Sequence, residues 1–190
     1  MMPTQRMGAQ TVALRDPPSV LSYACVGGKF EKQGPLGNCF DLLEEDSFFG
    51  EKTWEKAESA MQKMALNKAL EKGGLTASQL NYVCAGDLLN QCIGSAFGLR
   101  EAEIPFLGLY GACSTMGEGL SLAAMLIDGG FAGMAAAMTS SHFCTAERQY
   151  RMPMPYGNQR TPTAQWTATA AGCTILGAHG PGPYLTHITT

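Results

Sequence analysis

The sequence predicts an α/β domain in which helices cover both faces of a mixed, mostly parallel sheet. Three observations carry that prediction. Short apolar runs at 82–85, 105–110 and 134–139 alternate with helical patterns. Two of those helical patterns stop at glycine pairs, Gly73-Gly74 and Gly129-Gly130. Hydrophobic residues make up 45% of the 190-residue chain against 15% charged ones, enough to bury one sizeable core. Parallel strands cannot be joined by a tight hairpin, so this order implies right-handed helical crossovers covering both sheet faces.

Residues 1–19 carry no clear period and are expected to be irregular. Residues 53–72 place Trp54, Ala57, Met61, Met64, Ala65 and Ala69 on a 3.6-residue stripe, which predicts a helix closed by Gly73-Gly74. Thr76-x-x-Gln79 has the form of a capping box on a short helical turn. The run at 82–85, bounded by Gly86, reads as a buried strand, and a polar loop around Asp87 and Asn90 leads to a helical stretch at 91–99. Residues 105–110 form the next strand. Met116, Leu120, Ala123, Ala124 and Ile127 mark a helix at 115–128, and 134–139 is again apolar. Residues 147–164, rich in Pro, Gly, Arg and Gln, read as a long irregular loop, and 170–178 and 184–189 as closing strands.

Net charge is −3, the isoelectric point is about 5.6, and the thirteen Lys and Arg residues form no run, which argues against a nucleic-acid surface. The seven cysteines are an odd set without a C-x-x-C pair, so neither a disulfide framework nor a zinc ribbon is indicated and a reducing compartment is expected. Residues 1–15 lack a signal-peptide pattern, and no stretch reaches the roughly 18 apolar residues of a spanning helix. Any membrane attachment is therefore expected to be peripheral. The eleven methionines fall largely in helical patterns, where core packing is their ordinary use.

The chemistry-bearing segment is Gly111-Ala112-Cys113-Ser114-Thr115, where a strand turns directly into a helix. A cysteine in the first helical turn faces unpaired amides and the positive end of the helix dipole, which stabilise a thiolate and can hold an oxyanion or a ligand carboxylate. The other reading of Cys113 is a small residue packed into a tight turn. Gly86-Asp87 follows one strand and Ser140-Ser141-His142 another, so Cys113, Asp87 and His142 are expected at the same sheet edge. Asp87 and Asn90 read equally as loop caps. His142, in a polar Ser-Ser-His turn, is expected outside the core.

The strand, turn, cysteine and helix around Gly111-Ala112-Cys113-Ser114 resemble the nucleophile elbow of thiolases and β-ketoacyl synthases. Further segments narrow the resemblance. They are Gly34-Pro35-Leu36-Gly37, Ala85-Gly86-Asp87-Leu88-Leu89-Asn90-Gln91, Ile104-Pro105-Phe106-Leu107, Leu126-Ile127-Asp128-Gly129-Gly130-Phe131-Ala132, and Thr139-Ser140-Ser141-His142 through Thr145-Ala146-Glu147-Arg148-Gln149. In this order, from about Val20 onward, they are similar to the stage V sporulation protein AD family.

That resemblance implies a thiolase-like fold, with residues 1–190 forming one αβα half and the C-terminal half absent from this chain. It implies binding of dipicolinic acid, free or as its calcium chelate, for uptake into the forespore. The protein would work without acyl chemistry, beside sister membrane proteins of an uptake channel, and would be peripheral to the forespore or spore inner membrane. In the thiolase pattern the catalytic histidine and second cysteine lie in the C-terminal half, so the chain is expected to be a fragment or truncated product. Its uncovered face is expected to favour a homo-oligomer. The implied ligand residues are Cys113 and Ser114 at the helix N-terminus, His142 for a second carboxylate, and Asp87 and Asn90 in the facing loop. No cofactor is implied beyond Ca2+ travelling with dipicolinate, near Asp87. The alternative is an acyltransferase or condensing enzyme with Cys113 as acyl-accepting nucleophile.

Overall fold

Helix α2, Trp54–Gly73, runs along one face of a six-stranded sheet and fixes the frame of the molecule. The computed structural model describes residues 5–150, 162, 163, 165 and 167–190. In chain order the elements are β1 Gln5–Met7, β2 Thr11–Ala13, β3 Ser19–Gly27, α1 Lys29–Gln33, β4 Leu42–Leu43, α2, β5 Tyr82–Gly86 and α3 Ile93–Leu99. They continue with β6 Phe106–Leu109, α4 Thr115–Asp128, β7 Met134–Ser141, α5 Phe143–Tyr150, β8 Ala170–Gly177 and β9 His187–Thr189.

The large sheet has the order β4-β3-β8-β7-β5-β6. Strands β4 and β3, β7 and β5, and β5 and β6 pair in parallel, while β8 runs antiparallel to both neighbours. The sheet is therefore mixed and mostly parallel. Helix α2 buries Ala57, Met61, Ala65, Leu66 and Ala69 against Val83, Ala85, Ala136, Met138 and Ile175 on one face. Helix α4 buries Ala123, Ala124 and Ile127 against Cys84, Leu109, Ala135 and Leu176 on the other. Alanines dominate β7 because that strand is covered on both sides and neither helix leaves room for large side chains.

The stop signals act as the sequence implies. Thr53 caps α2 by accepting from the Lys56 amide, and Gly74 closes it in the left-handed region at φ 62°. The Thr76 amide donates to Gln79 Oε1 at 2.7 Å, completing the predicted box.

The structure corrects the reading in three places. Residues 5–7 and 11–13 are strands, pairing with β9 in a small antiparallel sheet, where 1–19 reads as irregular. Three-residue strands are too short to show a period of two, which hides them in the sequence. Residues 147–150 complete α5, where 147–164 reads as loop; residues 151–161, 164 and 166 lie outside the described residues. Strand β3 lies between β4 and β8 in the large sheet, yet its mixture of polar and apolar residues gives no clean alternation.

Candidate functional site

Strands β5, β6 and β7 run parallel, so their C-terminal ends meet at one sheet edge. The chain leaves β6 at Leu109 and turns through a 3-10 segment, Ala112–Ser114, directly into α4. The turn is tight enough to hold Ala112 at φ 48°, in the left-handed region that an L side chain adopts at a cost of about 1 kcal/mol or more. Cys113 follows and is exposed. It borders a cavity of about 430 Å³ lined also by Cys25, Leu88, Met116, Thr139 and Thr167. Across its floor Cys25, Gly172 and Thr139 stand in register on β3, β8 and β7. A side chain on Gly172 would crowd Met116 Cε at 3.3 Å, so this glycine keeps the floor low.

The elbow uses part of its own donor set. The Ser114 hydroxyl and amide both donate to Gly111 O, at 2.8 and 3.0 Å, and the Thr115 amide donates to Ala112 O. What Ser114 still presents is a hydroxyl oxygen. Thr115 Oγ1 is buried beneath the elbow without a hydrogen-bond partner among the described residues.

Asp87 and His142 stand at the right strand ends but turn away from Cys113. Asp87 is buried; its Oδ1 accepts from the Leu89 amide and its Oδ2 from the amide and hydroxyl of Ser95. It caps its own loop, one of the two readings the sequence leaves open. Asn90 is exposed at the start of the turn preceding α3 and is not among the residues that line the cavity. His142 is the sharper correction, because it is wholly buried. Side chains alternate along β7, so the position two beyond Ser140 faces α2, where the Trp54 and Phe143 rings each lie 5.4 Å from the imidazole. Its Nε2 donates to Ser47 O at 2.8 Å and its Nδ1 accepts from the Cys144 amide at 3.2 Å. Both nitrogens are engaged, and burial pushes the imidazole below its usual range, keeping it neutral.

The structure supplies instead two groups that sequence reading passes over. The Tyr110 and Tyr150 hydroxyls meet at 3.1 Å. Hydrogen bonding to Tyr110 and partial burial push Tyr150 up to about 12, and Tyr110 stands three residues before Cys113 in the chain. Two hydroxyls that bond each other use one hydrogen between them and keep one to offer outward. Forty residues of sequence separate the pair, so no local signal announces it.

A second groove, of about 500 Å³ between α2 and α3, is lined by Lys56, Lys63, Phe97 and Glu101 among others. Its Lys63 is paired with Glu101 on the exposed surface, and no cysteine or histidine lines it.

Comparison with known proteins supplies the family and the fold. The family model described as stage V sporulation protein AD matches residues 8–190. The chain belongs to the stage V sporulation protein AD family. It is 43% identical over 169 residues to stage V sporulation protein AD of Bacillus subtilis (strain 168), a match covering 89% of this chain and 50% of that protein. The chain thus spans about half the length of the curated relative it matches. Among solved structures it resembles 3-oxoacyl-[acyl-carrier-protein] synthase III from Aquifex aeolicus VF5, with a TM-score of 0.57 and 14% identity over 84% of this chain and 53% of the synthase. It also resembles the priming β-ketosynthase of the R1128 polyketide pathway, with a TM-score of 0.54 and 13% identity over 92% of this chain and 52% of that one. At such identities the likeness establishes a thiolase-like fold. Among the described residues of this family member, no helix is long and apolar enough to cross a membrane.

Proposed function

We propose that this sporulation protein binds dipicolinic acid, free or as its calcium chelate, in the Cys113 cavity and takes part in its uptake into the forespore. The observation that carries the reading is an open cavity at the N-terminal end of a long helix, lined by hydroxyl and sulfur groups, with its two nearest acid-base candidates turned into the core. A planar pyridine dicarboxylate matches such a lining. The helix end favours one carboxylate, the Thr139 and Thr167 hydroxyls can serve the other, and Met116 offers an apolar face to the ring. On this reading the protein works with sister membrane proteins of an uptake channel and reaches the forespore membrane peripherally.

Calorimetric titration with dipicolinate, with and without Ca2+, should give saturable heat. Substituting Cys113→Ala or Thr139→Val should weaken binding by about three- to thirty-fold, the range expected for losing one contact or donor. A flat titration of the folded protein removes the reading.

Acyl transfer through Cys113 is the second reading, favoured by the exposed sulfur on its strained elbow. His142, with both nitrogens bonded, is not placed to act as its base. Mass spectrometry after incubation with acyl-CoA decides it, since an acyl adduct on Cys113 is required.

A further inference from the structure

Across β7 from the cavity lies a buried acid that the binding steps above leave unused. Glu58 of α2 is wholly buried. Its Oε1 accepts from the Ser140 hydroxyl at 2.9 Å and its Oε2 from the Thr145 hydroxyl at 2.6 Å. Ser140 Oγ in turn accepts from Gln62 Nε2 at 2.8 Å. The same Nε2 donates to Ser95 Oγ at 2.8 Å, and Ser95 donates to Asp87 at 2.6 Å. The direction of the chain is thereby fixed: one amide donates to two hydroxyls, and each hydroxyl donates to a carboxylate. Two buried acids share this network, and none of its six side chains is a cation.

The charges around Glu58 come from every element packed on it. Asp87 at the end of β5 and Glu55 on α2 both raise its pKa, and Arg148 on α5 is ion-paired with Glu55. His142, just before α5, is kept neutral by burial, and Cys144 on α5 is a thiol pushed up by burial. Cys92, beyond Asp87, is a thiol pushed up by burial and by that carboxylate. Helix α3 adds Ser95 and Gly94, which bear no charge. Ser140 joins the two sides: its hydroxyl meets Glu58 on the α2 face, and the same residue lines the Cys113 cavity.

We propose that an anion bound in the Cys113 cavity is coupled through β7 to proton uptake by Glu58, an inference that rests on reading the cavity as a carboxylate site. An ionised Glu58 and a bound carboxylate repel across one layer of strand, where the protein interior screens poorly, and protonation of Glu58 removes the repulsion. Burial sets Glu58 to about 7, so the coupling operates near neutral pH. Coupling is reciprocal: affinity rises as pH falls through that range, and binding takes up a fraction of a proton.

Two measurements test it. The first compares alkylation of Cys113 by anionic iodoacetate and neutral iodoacetamide, followed by mass spectrometry of the Cys113 peptide; the thiolate fraction cancels in the rate ratio, leaving the effect of local charge. The ratio should fall about three- to ten-fold between one unit below and one unit above the Glu58 value, and Glu58→Gln should hold it at the low-pH level. A ratio that ignores pH, or one that Glu58→Gln leaves unchanged, overturns the coupling. The second is dipicolinate calorimetry in two buffers of different ionisation heat, which should show proton uptake that Glu58→Gln abolishes; uptake that survives the substitution overturns the proposal. If dipicolinate gives no heat while the alkylation ratio behaves as stated, the ligand assignment fails and the coupling stands. Should Glu58→Gln not fold, Thr145→Val removes one donor to the carboxylate and must move the pH midpoint of the ratio upward; an unmoved midpoint overturns the proposal.

Discussion

Glu58→Gln should make this protein more stable at alkaline pH and should remove most of the decline in stability that the wild type shows between about pH 4.5 and pH 7. The folded protein raises this carboxyl from 4.5 to about 7, chiefly because burial disfavours the charge. With the folded value above the unfolded one, the folded state holds the proton more tightly within that window. The contribution is therefore fully present below about 4.5 and lost as pH rises through about 7. About two and a half units at 1.36 kcal/mol each bring the loss to about 3 kcal/mol, a large share of a small domain's stability. His142 works in the opposite direction, since burial lowers it from 6.5 and its neutral form is favoured as pH rises. Subtracting the Glu58→Gln curve from the wild-type curve isolates the acid, and urea denaturation across the pH series measures it. Parallel curves would mean that Glu58 titrates as an ordinary carboxyl.

The long elements were legible in the sequence because each has a local cause. Thr53 and Gly74 delimit α2, and the core stripe through Ala57, Met61, Ala65 and Ala69 lies on the sheet as its spacing requires. Helix α4 begins and ends where Thr115 and Gly129-Gly130 place it. Strand β3 was not legible, because its neighbours β4 and β8 come from distant parts of the chain and supply the pairing that its own pattern lacks. At the site, topology correctly brings Cys113, Asp87 and His142 to one edge, but side-chain direction does not follow from strand order. Thr139 lines the cavity, whereas His142, just past the end of β7, packs beside Trp54 on the α2 side. The Glu58–Gln62 network was hidden for a related reason. Both positions fall on the buried stripe of α2, where a periodic reading expects apolar residues, and only the hydroxyls of Ser95, Ser140 and Thr145 explain their presence.

Gly86→Ala should be the most damaging small substitution at the site, lowering stability by about 3 kcal/mol or more and abolishing selective alkylation of Cys113. Gly86 ends β5 where β6 and the start of α4 converge, paired with Leu109 in the parallel ladder. A methyl group there would overlap the Leu109 carbonyl oxygen and stand 2.7 Å from Thr115 Cγ2. The first neighbour is backbone and cannot rotate away; the second is the opening residue of the helix that presents Cys113. Relief therefore requires β6 to move off β5, or α4 to lift from the sheet, and either displaces the elbow. Gly117, two residues into the same helix, supplies the contrast. A side chain at that position meets nothing within 4 Å, so Gly117→Ala should remove backbone freedom from the unfolded chain and stabilise the protein by about 0.5–1 kcal/mol. Urea denaturation of the two variants measures both effects on one helix. If Gly86→Ala unfolds like wild type, the close approach of β5, β6 and α4 is not what holds the cysteine at the cavity mouth.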